Sequence, residues 1–158
     1  MMKVQISDWD TPFENDEVHI LEVIYSYSEA EFQHKDFGVY AFTSSIGQDY
    51  SFVVRILVPK SGEIYSVNFS YVCGYRVMDE VGYAYLAQHT AKAERRLTTV
   101  KVRQHPWAQE SPGLFDASIK DGWSFLILSG DECVEVVSPV EPVIQKENTL
   151  RPEHRSIS

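Results

Sequence analysis

The chain has 158 residues, of which 44% are hydrophobic, 13% aromatic and 23% charged, with a formal net charge of −9. That composition excludes a wholly disordered chain, no window approaches the 18 apolar residues of a transmembrane helix, and the acidic surplus argues against nucleic acid or an anionic membrane as partner. A domain of roughly this size removes on the order of 70% of its unfolded surface from water, so neither metal nor disulfide is needed to hold it together.

Residues 1–36 hold nine acids against Lys3 and Lys35, a local charge of −7. This start has no apolar core of a secretory signal, so the cytoplasm is the expected compartment. Residues 18–27 and 38–43 mix β-branched and aromatic side chains and read as strands. SFVVRILV at 51–58 and EIYSVNFSYV at 63–72 flank Pro59-Lys60-Ser61-Gly62, a turn that predicts a hairpin. In its second arm the aromatic face, with Tyr65, Val67, Phe69 and Tyr71, is the one expected inside. Gly74 then marks a bend. Asp79 and Glu80 at one end, alanines between, and Arg95 with Arg96 at the other predict a helix near 80–95.

Residues 97–104 return to a period of two, with Lys101 and Arg103 on a polar face. HPWAQESPGLFDASIKDG at 105–122 holds two prolines and two glycines and reads as a long surface loop. WSFLIL at 123–128 and CVEVVS at 133–138 surround Ser129-Gly130-Asp131-Glu132 and predict a second hairpin. Pro139 and Pro142 are expected to end the sheet. The expected fold is α+β: a mainly antiparallel, twisted sheet of about six or seven strands with one helix near 80–95. A single domain is expected over 1–144, with a polar, flexible tail over 145–158.

No motif carries chemistry. His19, His34, His89, His105 and His154 are scattered without zinc-binding spacing, and the acids of residues 8–17 lack the glycine that a calcium loop needs, so no metal or cofactor is expected. Cys73 and Cys133, 60 positions apart, read as two buried thiols, with a disulfide left open. The basic stretch 92–105 is read as an internal counterweight to the acidic blocks rather than a nucleic-acid contact. Asp8, Asp10, Asp16 and Glu17, with Trp107 and Glu110 from the 105–122 segment, are the candidate contacts for a basic protein partner; an exposed tryptophan suits an interface anchor. A second candidate is a ligand pocket near Tyr75, Arg76, Asp79 and Glu80, in a region rich in tyrosine. Its bland counterpart is a helix cap with an ion pair to Arg76.

The stretches SVNFSYVCGYRVMDEVG at 66–82 and GWSFLILSGDECVEVVSPVEPVI at 122–144 resemble a pattern found in uncharacterised small bacterial proteins, some of them regarded as immunity-type proteins encoded near secreted toxins. The resemblance covers under a third of the chain and brings no catalytic residue with it. It implies a non-catalytic inhibitor of a basic toxin protein, oligomeric state undefined. The alternative from the residues is a small-ligand-binding domain or enzyme with its site inside the curved sheet.

Overall fold

The computed structural model describes residues 3–26, 28–34, 38–44, 51–86, 97–116 and 122–149. Five strands form one antiparallel sheet in the spatial order β1 (Gln5–Asp8), β8 (Thr99–Arg103), β9 (Ser124–Leu128), β10 (Glu132–Val137) and β7 (Gly74–Asp79). Four form a second, in the order β11 (Val143–Thr149), β6 (Glu63–Phe69), β5 (Ser51–Val58) and β2 (His19–Ser26). β3 (Ser28–His34) and β4 (Gly38–Ser44) pair with each other. The class is therefore sheet-dominated α+β, as the alternating runs predict, but among the described residues there are nine strands in two sheets and a further pair rather than six or seven.

The two larger sheets pack face to face through an aromatic and aliphatic core. Phe52, Val54, Ile56, Val67 and Phe69 from the second sheet meet Phe125, Ile127, Val134 and Val136 from the first. Period-two alternation in β5 and β6 puts these side chains inward, and Tyr65 lies on the buried face as expected, whereas Tyr71, two residues past the end of β6, is 49% exposed. Both expected hairpins form. Gly62 adopts φ 75°, which lets its N–H reach the Val58 carbonyl at 2.8 Å and closes the first turn. Ser129 closes the second, accepting from the Glu132 N–H and donating from its hydroxyl to the Glu132 carbonyl at 2.7 Å.

β9 and β10 are buried on both faces, which is why they read as nearly continuous apolar runs. On the face away from the sandwich lie Val100, Val102, Leu126 and Cys133, covered by Tyr83 and Leu86 of a 3-10 segment over Glu80–Leu86. This short segment replaces the start of the helix expected near 80–95: the backbone leaves helical geometry at Tyr83, beside Gly82, and residues 87–96 lie outside the described part. Two short helices, α1 (Pro106–Glu110) and α2 (Pro112–Asp116), stand where a loop was expected. Pro106 and Pro112, which helped the segment read as a loop, open these helices at the position where proline's missing N–H costs nothing. Finally, β11 crosses the expected boundary at 144/145. Gln145 to Thr149 pair with β6, and Lys146 meets Glu63 at 2.8 Å, so the polar segment begins as an edge strand; residues 150–158 lie outside the described part.

Cys73 and Cys133 are free thiols. Cys73 bonds to Val137 and Cys133 pairs with Met78, so about four residues of strand, roughly 13 Å, separate them. A disulfide would need their Cα atoms within about 7 Å. Burial pushes the Cys133 thiol up to about 12 and also raises Cys73, which is less buried. A thiol reagent should therefore titrate no more than one group in the native protein, Cys73 first, and two after denaturation; two rapid native equivalents would contradict this packing.

Candidate functional site

The acidic segment after β1 is pinned from below. Trp9, Phe13 and Val18 enter the core between the sheets, with the Trp9 ring edge-on to Phe125 at 5.0 Å and Phe13 tilted against Tyr65 at 5.3 Å. The start of β8 holds the backbone from the side. Thr99 donates its hydroxyl to the Trp9 carbonyl at 3.0 Å, Thr11 and Thr99 hydroxyls meet at 2.8 Å, the Thr98 N–H donates to the Glu14 carbonyl at 3.0 Å, and its hydroxyl donates to the Asp16 carbonyl. Between these anchors Asp8, Asp10 and Glu17 are exposed and Asp16 half-buried. Among the described residues no salt bridge involves Asp10, Glu14, Asp16 or Glu17. The result is a rim of carboxylates on a fixed backbone.

Trp107 and Glu110 lie elsewhere. Trp107, half-buried in α1, is covered on one face by the Arg76 guanidinium, 4.5 Å from the ring centroid, and Glu110 is exposed at the end of that helix. Asp8, Val100, Leu126, Glu135 and Arg76 are successive partners across the five-stranded sheet. Asp8 and Arg76 therefore share a face but mark its opposite edges, four strand spacings or roughly 19 Å apart. Asp10, Asp16 and Glu17 continue around the end of the sandwich. The expected contacts thus form two groups, not one continuous patch, although a standard interface of about 800 Å² per partner spans that distance.

The expected ligand pocket does not assemble. Alternation along β7 turns Tyr75 to the sandwich side, where it packs on Phe52, at 4.6 Å, and Tyr25, at 5.1 Å, yet stays 40% exposed at the sheet edge, while Arg76 faces the other way. Asp79 ends β7 opposite Glu132, and Glu80 opens the 3-10 segment. The carboxylate that Arg76 meets is Glu135, at 2.7 Å from its Nε. Glu135 also meets His105 Nε2 at 2.5 Å and accepts from the Ser124 hydroxyl at 2.6 Å. Glu135, His105 and Ser124 are fully buried and Arg76 is a quarter exposed. Burial alone would raise the Glu135 carboxyl; the hydrogen bond and charge of His105, the charge of Arg76 and the Ser124 hydroxyl outweigh it and hold the group below the usual carboxylate range. Gln104, at φ 57°, makes the left-handed turn that drops His105 under the sheet. There Tyr85 stacks on the imidazole at 5.9 Å, and Phe115 meets it edge-on at 5.2 Å.

Sequence reasoning passed over this cluster because its members are single residues far apart in the chain. The one available signal was a lone acid, Glu135, inside the apolar run of β10. Of the basic stretch expected to balance the acidic blocks, Lys101 meets an acid, reaching Glu141 at 2.7 Å and lying over Phe125, while Arg103 stacks on Trp123 and bonds the Gln5 amide at 2.6 Å. Lys92, Arg95 and Arg96 lie outside the described residues.

An open groove of about 720 Å³ follows residues 3–7, with Leu97 and Trp123 beside it. A smaller hollow of about 150 Å³ lies beside Phe115 and Ala108. Neither is lined by Tyr75, Arg76 or Asp79. Among the described residues no helix is long and apolar enough to cross a membrane, and no group of three or more His, Cys, Asp or Glu is placed to hold a metal. Comparison of the chain with protein-family models, curated proteins and solved structures finds no match.

Proposed function

We propose that the protein is a non-catalytic binding protein that docks a basic protein on the carboxylate rim of residues 8–17. The observation that carries this reading is the anchoring of that segment. Its apolar side chains are fixed in the core and its carbonyls are held by Thr98 and Thr99, so its exposed carboxylates are ordered before any partner arrives. Preordered charge accelerates encounter and selects sign, and it lowers the ordering cost of binding. The resemblance to immunity-type proteins supplies a partner class: a secreted toxin with a basic substrate site, such as a nuclease, which the rim would cover.

A second reading, a small-ligand site at Arg76 and Glu135, draws on four buried polar atoms that make no close hydrogen bond among the described residues, Arg76 Nη2, Tyr83 and Tyr85 Oη, and His105 Nδ1, with Tyr83 beside Cys133 and Tyr85 beside Arg76. Such groups call for water or a ligand. It is the lesser reading, because Trp107 lies over Arg76 and the sandwich interior is filled by Phe13, Phe52, Phe69 and Phe125.

The test is parallel capture from the native host on wild-type protein and on a variant carrying Asp10→Asn, Asp16→Asn and Glu17→Gln. Surface substitutions of this kind change stability by about 0.5 kcal/mol or less, so the variant keeps the fold. A basic protein retained by the wild type and lost from the variant is the expected outcome. Equal retention by both would remove the rim from the interface.

A further inference from the structure

We propose that the edge of β1 with no neighbour among the described strands is the place where the partner's backbone docks: an extended basic segment, alternating Lys or Arg with β-branched residues, adds beside Gln5–Asp8 as a further strand of the sheet. The inference rests on the reading of the rim as a site for a basic protein and specifies how that protein is held.

β1 ends the five-stranded sheet, and among the described strands its one partner is β8. An edge strand presents a row of backbone donors and acceptors that another chain can complete. The groove beside it touches five consecutive residues, 3–7. Side chains alternate between faces along a strand, so the groove meets both faces at the start of β1, and Leu97 and Trp123 reach it from the residues just before β8 and β9. Its apolar surface comes from Val4, Ile6, Leu97 and Trp123 and its one charged lining residue is Lys3, while the exposed Asp8 and Asp10 follow Ser7 along the chain.

The chemistry of the occupant follows from charge and from the inner edge. β8 already shows what pairs with β1: Thr99-Val100-Lys101-Val102-Arg103, with Lys101 opposite Ser7 and Arg103 opposite Gln5. Asp8 stands opposite Val100 in β8, so a strand of the same alternation on the outer edge, shifted by one residue, would set a cation opposite Asp8, where opposite charges on neighbouring strands attract. The same carboxylates repel a second copy of this acidic chain. A short, charged edge that resists self-pairing thereby remains selective for a basic strand.

The probe is a synthetic peptide of the protein's own residues 97–104, LTTVKVRQ, added to the full-length chain while amide hydrogen exchange is followed residue by residue. The expected result is a saturable slowing, about tenfold or more, at those amides of residues 5–8 that face away from β8. A peptide with proline in place of its central valine should have no effect, and Asp8→Asn with Asp10→Asn should weaken binding about threefold to tenfold. Protection confined to residues 9–17 would overturn the edge docking while leaving the rim as the binding site. Protection unchanged by the two asparagines would keep the strand pairing and overturn the acidic reading. Loss of protection in β9 would mean that the peptide had displaced β8, and no saturable change up to about 5 mM, the weak end of specific binding, would also overturn the proposal.

Discussion

Glu135→Ala should lower the unfolding free energy by about 3–5 kcal/mol, read as a fall in the urea midpoint at constant slope. The carboxylate is fully buried and meets three partners, Arg76, His105 and Ser124. Removing it leaves a guanidinium and an imidazole facing each other in a desolvated site, and the cost is that of the stranded groups more than of the lost pair. Replacing Glu135, Arg76 and His105 together by Leu, Met and Phe should restore most of the stability, since a well-packed apolar trio of similar volume avoids the desolvation cost. If Glu135→Ala and the triple variant were equally unstable, the loss would lie in packing rather than in unpaired polarity. The pH dependence has a defined sign. Because the folded-state value of Glu135 lies below the unfolded one, its stabilisation is complete above about pH 4.5 and is lost as pH falls through the folded value. The acid limb of the stability curve should therefore flatten in Glu135→Gln.

Trp9→Ala is expected to cost about 3–5 kcal/mol, the range for a large aromatic removed from a filled core. Trp9 is 4% exposed and packs edge-on to Phe125, which in turn meets Phe69 at 5.6 Å. The loss reaches function because Trp9 is flanked by the exposed Asp8 and Asp10. Without its anchor the rim should exchange its amides faster, and capture of the basic partner should weaken even where the rest of the fold persists. Trp9→Phe keeps an aromatic contact and should lose about half as much stability. A Trp9→Ala protein of near wild-type stability would show that the threonine contacts alone hold the segment.

The two hairpins were legible from sequence because alternation and turn chemistry agreed at Gly62 and at Ser129-Gly130. β1 and β11 were not, since QISD is short and QKENT is polar on both faces. Their pairing depends on backbone groups of β8 and β6, which leave no periodic trace. The proline-led helices α1 and α2 escaped because a proline that opens a helix and one that breaks it look alike without the neighbouring geometry. For the site, the charge of residues 8–17 could be read directly. Its anchors could not, because Trp9, Phe13 and Val18 follow no strand or helix period. The Arg76–Glu135–His105 cluster depends on cross-strand register and on the left-handed turn at Gln104, neither of which local sequence specifies.

The most direct test of the central claim is the association rate of the captured basic partner measured by stopped flow across a range of salt. For wild-type protein the rate should fall steeply as salt rises, and the Asp10→Asn, Asp16→Asn, Glu17→Gln variant should start about tenfold slower at low salt with a shallower slope. A wild-type rate that does not change with salt would contradict docking on the acidic rim.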